Sequence, residues 1–578
     1  MMTNHFFDSE LNLLKELATE FGRANPVLAP LLDGNRTDPD VERLLEAVAF
    51  QNAMLRRKLE CDFPELVHKL AQLILPHYLR PIPATTIIGF TPHTTSGQSA
   101  AIPAGTQFAS APVDGTTCRF TTTAEAKLHP LELTDASFSQ HSGRTGAIRL
   151  SLTLKGLPLS LWQPGALRLF LAGDHAFATE LYLLLSRHVT RVLLTPGDGG
   201  TAVELPASCL TPAGFGETEA LLPYPPHAFP GYRLLQEYFS TPEKFLFFDL
   251  SGWERWQQRG DGMRFSICFE LDSPPSLPQR IRRESFALHA VPAVNLFSHD
   301  AAPISVNHRI GSYLVRPAGP TPAHCQVFSV DRVTGYTRTT GRERSYLPFD
   351  LSSSDSIPEP TYHAQLAQSN RHSAHDVHLG VAFPGGVPPA DSETLSISLT
   401  CSNGSLPDNL HIGDIAAALS PLPDIVSGRN ITPVNPGHPP PLGPGLLRQL
   451  TSHLYLNHLS LEKVEHLRTL LELYLFPEHR SGSRGAASLK RISGIQALQV
   501  IADRQTVSGI PMTGREIRIK VRQDHFAGPG DLYLFGCVLD HFLASYASLQ
   551  SYTRLVFHET LRGETCQWPT RLGNQAIR

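Results

Sequence analysis

Apolar residues in the stretch 38–80 return every three or four positions. Val41, Leu44, Leu45, Val48, Asn52, Leu55 and Leu59 make one mostly apolar stripe, and Glu42, Arg43, Arg56, Arg57 and Lys58 fill the positions around it. Asp38 followed by Pro39 reads as a helix start, with the carboxylate as cap and the proline in the first turn. A second start at Asp62, Phe63 and Pro64 leads into Leu66, Val67, Leu70, Leu73 and Ile74, again at helical spacing, before Pro76, Pro81 and Pro83 stop it. Upstream, Phe7, Leu11, Leu14, Ala18 and Phe21 predict a helix over 6–21. The pattern is that of helices made to lie against other helices, and the sequence leaves open whether this chain or another supplies the cover. Leu44, Val48 and Leu55 are therefore candidate partner-binding residues. Arg56 and Arg57 are candidates for ion pairs across such a bundle, with solvated charges as the alternative.

Beyond Pro83 the period changes from helical to alternating. Ile148, Leu150, Leu152 and Leu154 alternate with polar residues, as do Met263, Phe265, Ile267 and Phe269, and Leu395, Ile397, Leu399 and Cys401. Asn403-Gly404 beside the last of these is a turn signal. Phe177 to Arg187 predicts a helix within this β-rich region. Pro433 to Pro444 (PVNPGHPPPLGP) is too proline-rich for helix or inner strand and reads as a linker. After it come a helix through Val464, Leu467, Leu471 and Tyr474, a strand through Ile517, Ile519 and Val521, and a helix opened by Asp531. The expectation is an α+β multidomain chain: an N-terminal helical region (1–85), two β-rich domains (86–220 and 221–430), a linker (431–445) and a C-terminal α+β domain (446–578).

At 578 residues the chain exceeds what one hydrophobic core supports. Its 49 Lys plus Arg against 53 Asp plus Glu give a net charge of −4, which offers no electrostatic case for nucleic acid or an anionic membrane. Charged residues at 18% with 48 prolines suit a loop-rich protein that hides surface against partners. The eight cysteines are widely spaced. No signal peptide or membrane-length apolar run is visible, so the reading is a cytoplasmic chain with free thiols and no membrane insertion.

Enzyme motifs are missing where they can be checked. There is no Walker-type loop, no Gly-x-Ser-x-Gly elbow and no His-Glu-x-x-His pair, since His558-Glu559 lacks the second histidine. Pro196-Gly197-Asp198-Gly199-Gly200 reads as a turn rather than a phosphate cradle. His372, His375 and His378 could gather a divalent ion from a helix, but a solvated loop is the favoured reading and no metal or cofactor is assigned. His453 and His458, inside an apolar block, read as interface or core histidines. Asp331, Asp350 and Asp355 sit in turn-like sequence, and one chain gives no reason to pair them. The aromatic block is more telling. Phe229, Tyr232, Tyr238 and Phe239 read first as domain core, and any left exposed would be protein-binding anchors. Gly231 marks a turn where a side chain would obstruct.

Several long blocks together resemble one family. DPDVERLLEAVAFQNAMLRRKLECDFPELVHKLAQLILPHYLR (38–80), LLPYPPHAFPGYRLLQEYFSTPEKFLFFDL (221–250), VPAVNLFSHDAAPISVNH (291–308), LTSHLYLNHLSL (450–461), LFGCVLDHFLASYASLQSY (534–552) and WPTRLG (568–573) resemble, in this order, the TssF proteins of bacterial type VI secretion baseplates. The resemblance implies a structural wedge subunit and no enzyme activity. It implies assembly with TssG, TssK and TssE around a VgrG spike, two copies clasping one TssG, and contact with sheath and Hcp tube. It also implies self-association within the wedge and a place at the cytoplasmic face of the inner membrane. A wedge protein of a related contractile particle, or a β-rich multidomain hydrolase, are the alternatives.

Overall fold

The strand Gly146–Leu154 turns Ile148, Leu150, Leu152 and Leu154 inward and leaves Arg149 exposed, as its alternation requires. The computed structural model describes most of residues 77–442 and 463–573, apart from intervals of which 273–280, 350–358 and 384–392 are among the longest. Towards the N-terminus it describes positions within 7–17 and 43–52, together with 72 and 75. Two units are distinguished, Met1–Ile74 with Leu442–Thr451, and Leu75–Pro441 with Ser452–Arg578. In the first, positions 43–52 are helical where described, with Ala49 buried and Leu44, Val48 and Phe50 facing out.

The second unit is built of sheets that draw strands from distant parts of the chain. A six-stranded antiparallel sheet runs in the order Ile415–Ala418, Gln107–Val113, Thr116–Thr122, Ala290–Val294, Thr85–Pro92, Val426–Asn430. A second holds Gly146–Leu154 between Arg264–Leu271 and Leu131–Gln140. Both therefore use strands from either side of residue 220, where the sequence suggests a boundary. The reason is pairing: each buried face is completed only by strands far along the chain. The proline-rich segment is likewise docked. Ile82 and Thr85 exchange backbone hydrogen bonds with His438 and Asn435, and the side chains of both partners are buried. Pro433, Pro436 and Pro439 lack N–H donors, but Asn435 and His438, set between them, supply the pairing.

Strands between 297 and 402 form a ring. Their ladder runs Phe297–Asp300, Glu393–Ser402, Gln326–Thr337, Glu343–Pro348, Thr361–Gln368, His375–Ala382, Tyr313–Val315. The bridge Ala301 to Pro317, with Ala302 N donating to Arg316 O at 2.8 Å and Ala318 N to Asp300 O at 2.9 Å, joins its ends. Closure removes free edges, and Val333, Leu379, Leu395, Ile397 and Leu399 fill the interior. His375 and His378 stand on a strand rather than a loop or helix, with the His375 Nε2 against Val327 O at 2.8 Å; His372 lies outside the described residues. Asn403-Gly404 opens a turn, as its sequence signals, leading into the short helix Leu406–Asn409. Gly404 adopts φ +60°, while Asn403 is buried in a reciprocal amide pair with Asn295, its N donating to Asn295 Oδ1 at 2.7 Å and its Oδ1 accepting from Asn295 Nδ2 at 2.8 Å.

In the C-terminal sheet Ile510–Val521 pairs in parallel with Ser551–Glu559, and the helix Pro529–Ala544 makes the crossover. That helix packs on two others, His175–Leu183 and Pro230–Ser240. Gly530 permits the first contact, since a Cβ there would collide with the backbone of Thr179 and Glu180. Asp531 accepts from Arg491 Nε at 2.8 Å and Ala527 N at 3.1 Å and meets His175 Nε2 at 2.9 Å. Burial opposes its charge, but the His175 hydrogen bond and the Arg491 charge prevail and hold its carboxyl at about 2.

The helix Pro230–Ser240 carries a second fully buried carboxylate. Glu237 is fully buried; its Oε1 accepts from Leu221 N at 2.8 Å and Leu222 N at 3.2 Å, and its Oε2 meets Arg233 Nη1 at 3.1 Å and the Lys244 ammonium. Burial pushes Lys244 below the ordinary lysine range, and the Glu237 carboxylate pulls it back. Removing Glu237 would strand two buried cations and two backbone donors. Glu237→Ala is expected to lose about 3–5 kcal/mol of unfolding free energy, against under about 0.5 for Arg264→Ala at the exposed Asp198 pair, as read by urea denaturation.

A pH dependence follows from Asp540, which is buried with Arg571 on its Oδ2 and no donor on Oδ1 among the described residues. Burial outweighs the Arg571 charge and pushes this carboxyl up to about 6. The folded chain thus keeps a proton that an unfolded aspartate releases near about 3.9, so this group's contribution is full below that value and is lost as pH rises to about 6. Asp540→Asn is expected to flatten a decline on the order of 2–3 kcal/mol between about pH 4 and about pH 7, measured by urea midpoints.

Candidate protein-interaction site

Proline at the first turn and an apolar-aromatic run make Pro230–Ser240 a helix that is buried from Gly231 to Ser240. Its Tyr232 ring lies near-parallel to His77 and to Tyr474 at 5.5 Å between centroids, and those two rings are 6.2 Å from each other, so the three meet as a triangle. Tyr232 Oη meets Tyr546 Oη at 2.8 Å, and Phe229 sits edge-on to Tyr232 at 4.9 Å and tilted to Tyr546 at 4.6 Å. His77 Nε2 reaches Tyr474 Oη at 2.9 Å, Tyr78 Oη donates to Leu473 O at 3.1 Å, and Tyr224 Oη donates to Phe229 O at 2.6 Å. Four stretches far apart in the chain thus meet in one aromatic cluster. Gly231 belongs to the first helical turn rather than a separate tight turn. The obstruction is real, for a Cβ there would stand 2.6 Å from the Phe229 ring and 3.1 Å from Phe542.

Beside the cluster opens a groove of about 840 Å³. Leu221, Leu222 and Pro223 line one part, Val294 and Leu296 another, and Tyr224 and Arg233 connect it to the cluster. Glu237 fixes this wall through the Leu221 and Leu222 amides, and Arg233 Nη2 donates to Gly216 O at 3.2 Å. The lining mixes these apolar residues with Gln107, Thr121, Ser298, Thr400 and the Glu217 carboxylate, and its one guanidinium is already paired within the chain, a composition that suits a protein partner. Among the described residues no cluster of His, Cys, Asp or Glu could hold a metal ion. Asp331 is engaged by Ser329 Oγ at 2.6 Å and Thr400 Oγ1 at 2.7 Å, and Glu559 accepts from Gln523 N at 3.1 Å and Leu561 N at 2.9 Å.

The residues singled out from the sequence divide by place. Leu44 is 68% exposed and Val48 37%. Tyr232, Tyr238 and Phe239 are buried within this chain, and Phe229 is half-buried at the cluster's margin. Leu55, Arg56, Arg57, His453 and His458 lie outside the described residues, as do Asp350 and Asp355. The sequence did not single out Glu237, Arg233 or Lys244. The signal was available as charges inside an aromatic block, with Arg233 and Glu237 spaced by four.

Comparison with known proteins gives a consistent result. The family model described as "Type VI secretion system, TssF" matches residues 2–575. The type VI secretion component TssF1 of Pseudomonas aeruginosa is 27% identical, over 99% of this chain and 98% of its own. A chain in the cryo-electron microscopy structure of the type VI TssK-TssF-TssG baseplate subcomplex is 28% identical with a TM-score of 0.78, covering 93% of this chain and 99% of that one. A chain of a type VI baseplate complex, 25% identical, matches over the full length of both with a TM-score of 0.63.

The hydroxyl pair at the cluster is separable from its ring packing. Tyr232→Phe is expected to cost about 1–2 kcal/mol by leaving Tyr546 without its partner, and Tyr232→Ala about 3–5 by opening a cavity, both read from urea unfolding.

Proposed function

The chain belongs to the TssF family of type VI secretion, and from that premise we propose that it is a structural wedge subunit of the baseplate. It assembles with TssG and TssK, and in the completed plate with TssE around a VgrG spike, under the sheath and Hcp tube. Two copies clasp one TssG, and the plate stands at the cytoplasmic face of the inner membrane. The work is mechanical: large interfaces hold a metastable plate, and their rearrangement triggers contraction. What carries the reading is the correspondence with a chain of the TssK-TssF-TssG subcomplex over 99% of that chain's length. No helix among the described residues is long and apolar enough to cross a membrane, which fits a plate that contacts one through other subunits.

Within this reading the N-terminal helices pair with helices of TssG. Leu44, Val48 and Phe50 face solvent along one described helical stretch, an apolar display with no cover from its own described neighbours. Leu55, Arg56, Arg57, His453 and His458 join this proposal as partner-binding candidates on their sequence alone. Phe229 and the neighbouring groove offer a second contact surface. Tyr232, Tyr238 and Phe239 support it from within.

The test is co-expression with TssG and TssK, purification through a C-terminal tag, and mass determination by light scattering. Two copies of this chain per TssG are expected. Leu44→Asp with Val48→Asp should abolish TssG recovery while circular dichroism of the β-rich unit stays unchanged. Undiminished recovery would sink the helical-pairing assignment, and a partner-free monomer would sink the wedge reading itself.

A further inference from the structure

The C-terminal sheet begins with a strand that no further strand pairs with on its outer side among the described residues; the helix Val464–Leu473 contacts it, and Arg468 donates to its first carbonyl, that of Ile495. Ile495–Val507 runs 13 residues, about 40 Å, and pairs only with Ile510–Val521. None of residues 496–506 is buried, and the strand contains no proline and no lysine to blunt it. Its one irregularity lies between Ile495 and Ala497, so the rest presents an unbroken row of amides and carbonyls. The ring of strands at 297–402, in contrast, has its ladder ends joined.

Register assigns the side chains beside this edge. Leu498, Val500, Ala502 and Arg504 share a face with Ile519, Ile517, Arg515 and Thr513. The other face carries Gln499, Ile501, Asp503 and Gln505 with Glu516, Arg518, Lys520, Arg554 and His558. There the carboxylates are engaged: Asp503 meets Arg554 at 3.0 Å, and Glu516 meets Arg518 at 2.5 Å and also Arg554. Arg504, Arg515 and Lys520 remain exposed with no carboxylate partner among the described residues. Arg504 and Arg515 stand together on the Leu498–Val500 face, towards the hairpin tip.

We propose that the outer edge of Ile495–Val507 takes an extended, acidic segment of another polypeptide as an added strand. Backbone pairing would supply affinity, and alternate side chains the specificity. Residues placed against Leu498 and Val500 would be apolar, and the one reaching Arg504 and Arg515 would be a carboxylate. An occupant of that charge is what the neighbouring Arg504 and Arg515, without a carboxylate partner among the described residues, select. The inference does not depend on the wedge assignment, because it concerns how a strand is received rather than which subunit brings it.

A fluorescent synthetic peptide alternating Val with Thr and ending in two Glu tests this on the full-length chain by anisotropy. Saturable binding is expected. Arg504→Glu with Arg515→Glu should weaken it by roughly tenfold. N-methylating every second amide should abolish binding in one register and leave it intact in the other, since only one set of amides faces the edge. That measurement uses the unmodified protein and so does not depend on how the variant folds. Absence of binding, or binding indifferent to N-methylation in both registers, would overturn the proposal. So would a dimer of this chain that the peptide dissolves, because the edge would then belong to a second copy.

Discussion

One carboxylate organises the middle of this molecule. Glu237 sits fully buried and gathers an arginine, a lysine and two backbone amides. A buried charge is tolerated only when its neighbours replace water, and here each replacement comes from a different local element. Arg233 comes from the same helix, Lys244 from the turn that follows it, and Leu221 and Leu222 from the segment before it. The carboxylate therefore fixes three elements against one another, and the groove wall at Leu221–Pro223 takes its position from that arrangement.

Around this centre the chain uses long-range pairing almost everywhere. The aromatic cluster brings His77, Tyr232, Tyr474 and Tyr546 together, while Asn295 and Asn403 join the six-stranded sheet to the ring. Rigid placement of surfaces is what a structural subunit needs from its fold. Two sheets of the β-rich unit solve the same problem in opposite ways. The ring at 297–402 has its ladder ends joined, whereas the C-terminal hairpin keeps a long one open.

The sequence made local structure legible and global pairing not. Alternation at Ile148–Leu154 and at Leu395–Cys401 marked strands correctly, because one face of each is buried and the period is forced. The helix from Val464 and the one through Asp531 were equally readable. Asp531 itself passed as a helix opener, although it is buried under Arg491 and His175, since a cap and a buried ligand look alike in sequence. His375 and His378 were placed on a loop, where register with Tyr313–Val315 and Thr361–Gln368 makes a strand. Asn403-Gly404 marks a turn, and the structure has one, but nothing local reveals that Asn403 is held by Asn295, more than a hundred positions away. The proline-rich segment around Asn435 was read as a linker for the same reason: its partners, Ile82 and Thr85, are at the other end of the unit. The buried charges Arg233, Glu237 and Lys244 are not legible in the sequence because only burial turns ordinary charges into a constraint.

The aromatic cluster also has a temporal meaning. His77 and Tyr474, joined by a hydrogen bond, are 397 residues apart in the chain. At a synthesis rate of about 5–20 residues per second, on the order of 20–80 seconds pass between the making of one and the other. Tyr546 arrives later still. Until then the Tyr232 ring has His77 but lacks Tyr474 or its hydroxyl partner Tyr546, and the side of its helix that they cover stands bare. A nascent chain of this kind cannot acquire its finished surfaces piece by piece: the first third waits for the last, and a truncated or stalled product displays sticky aromatic surface instead of a partial subunit.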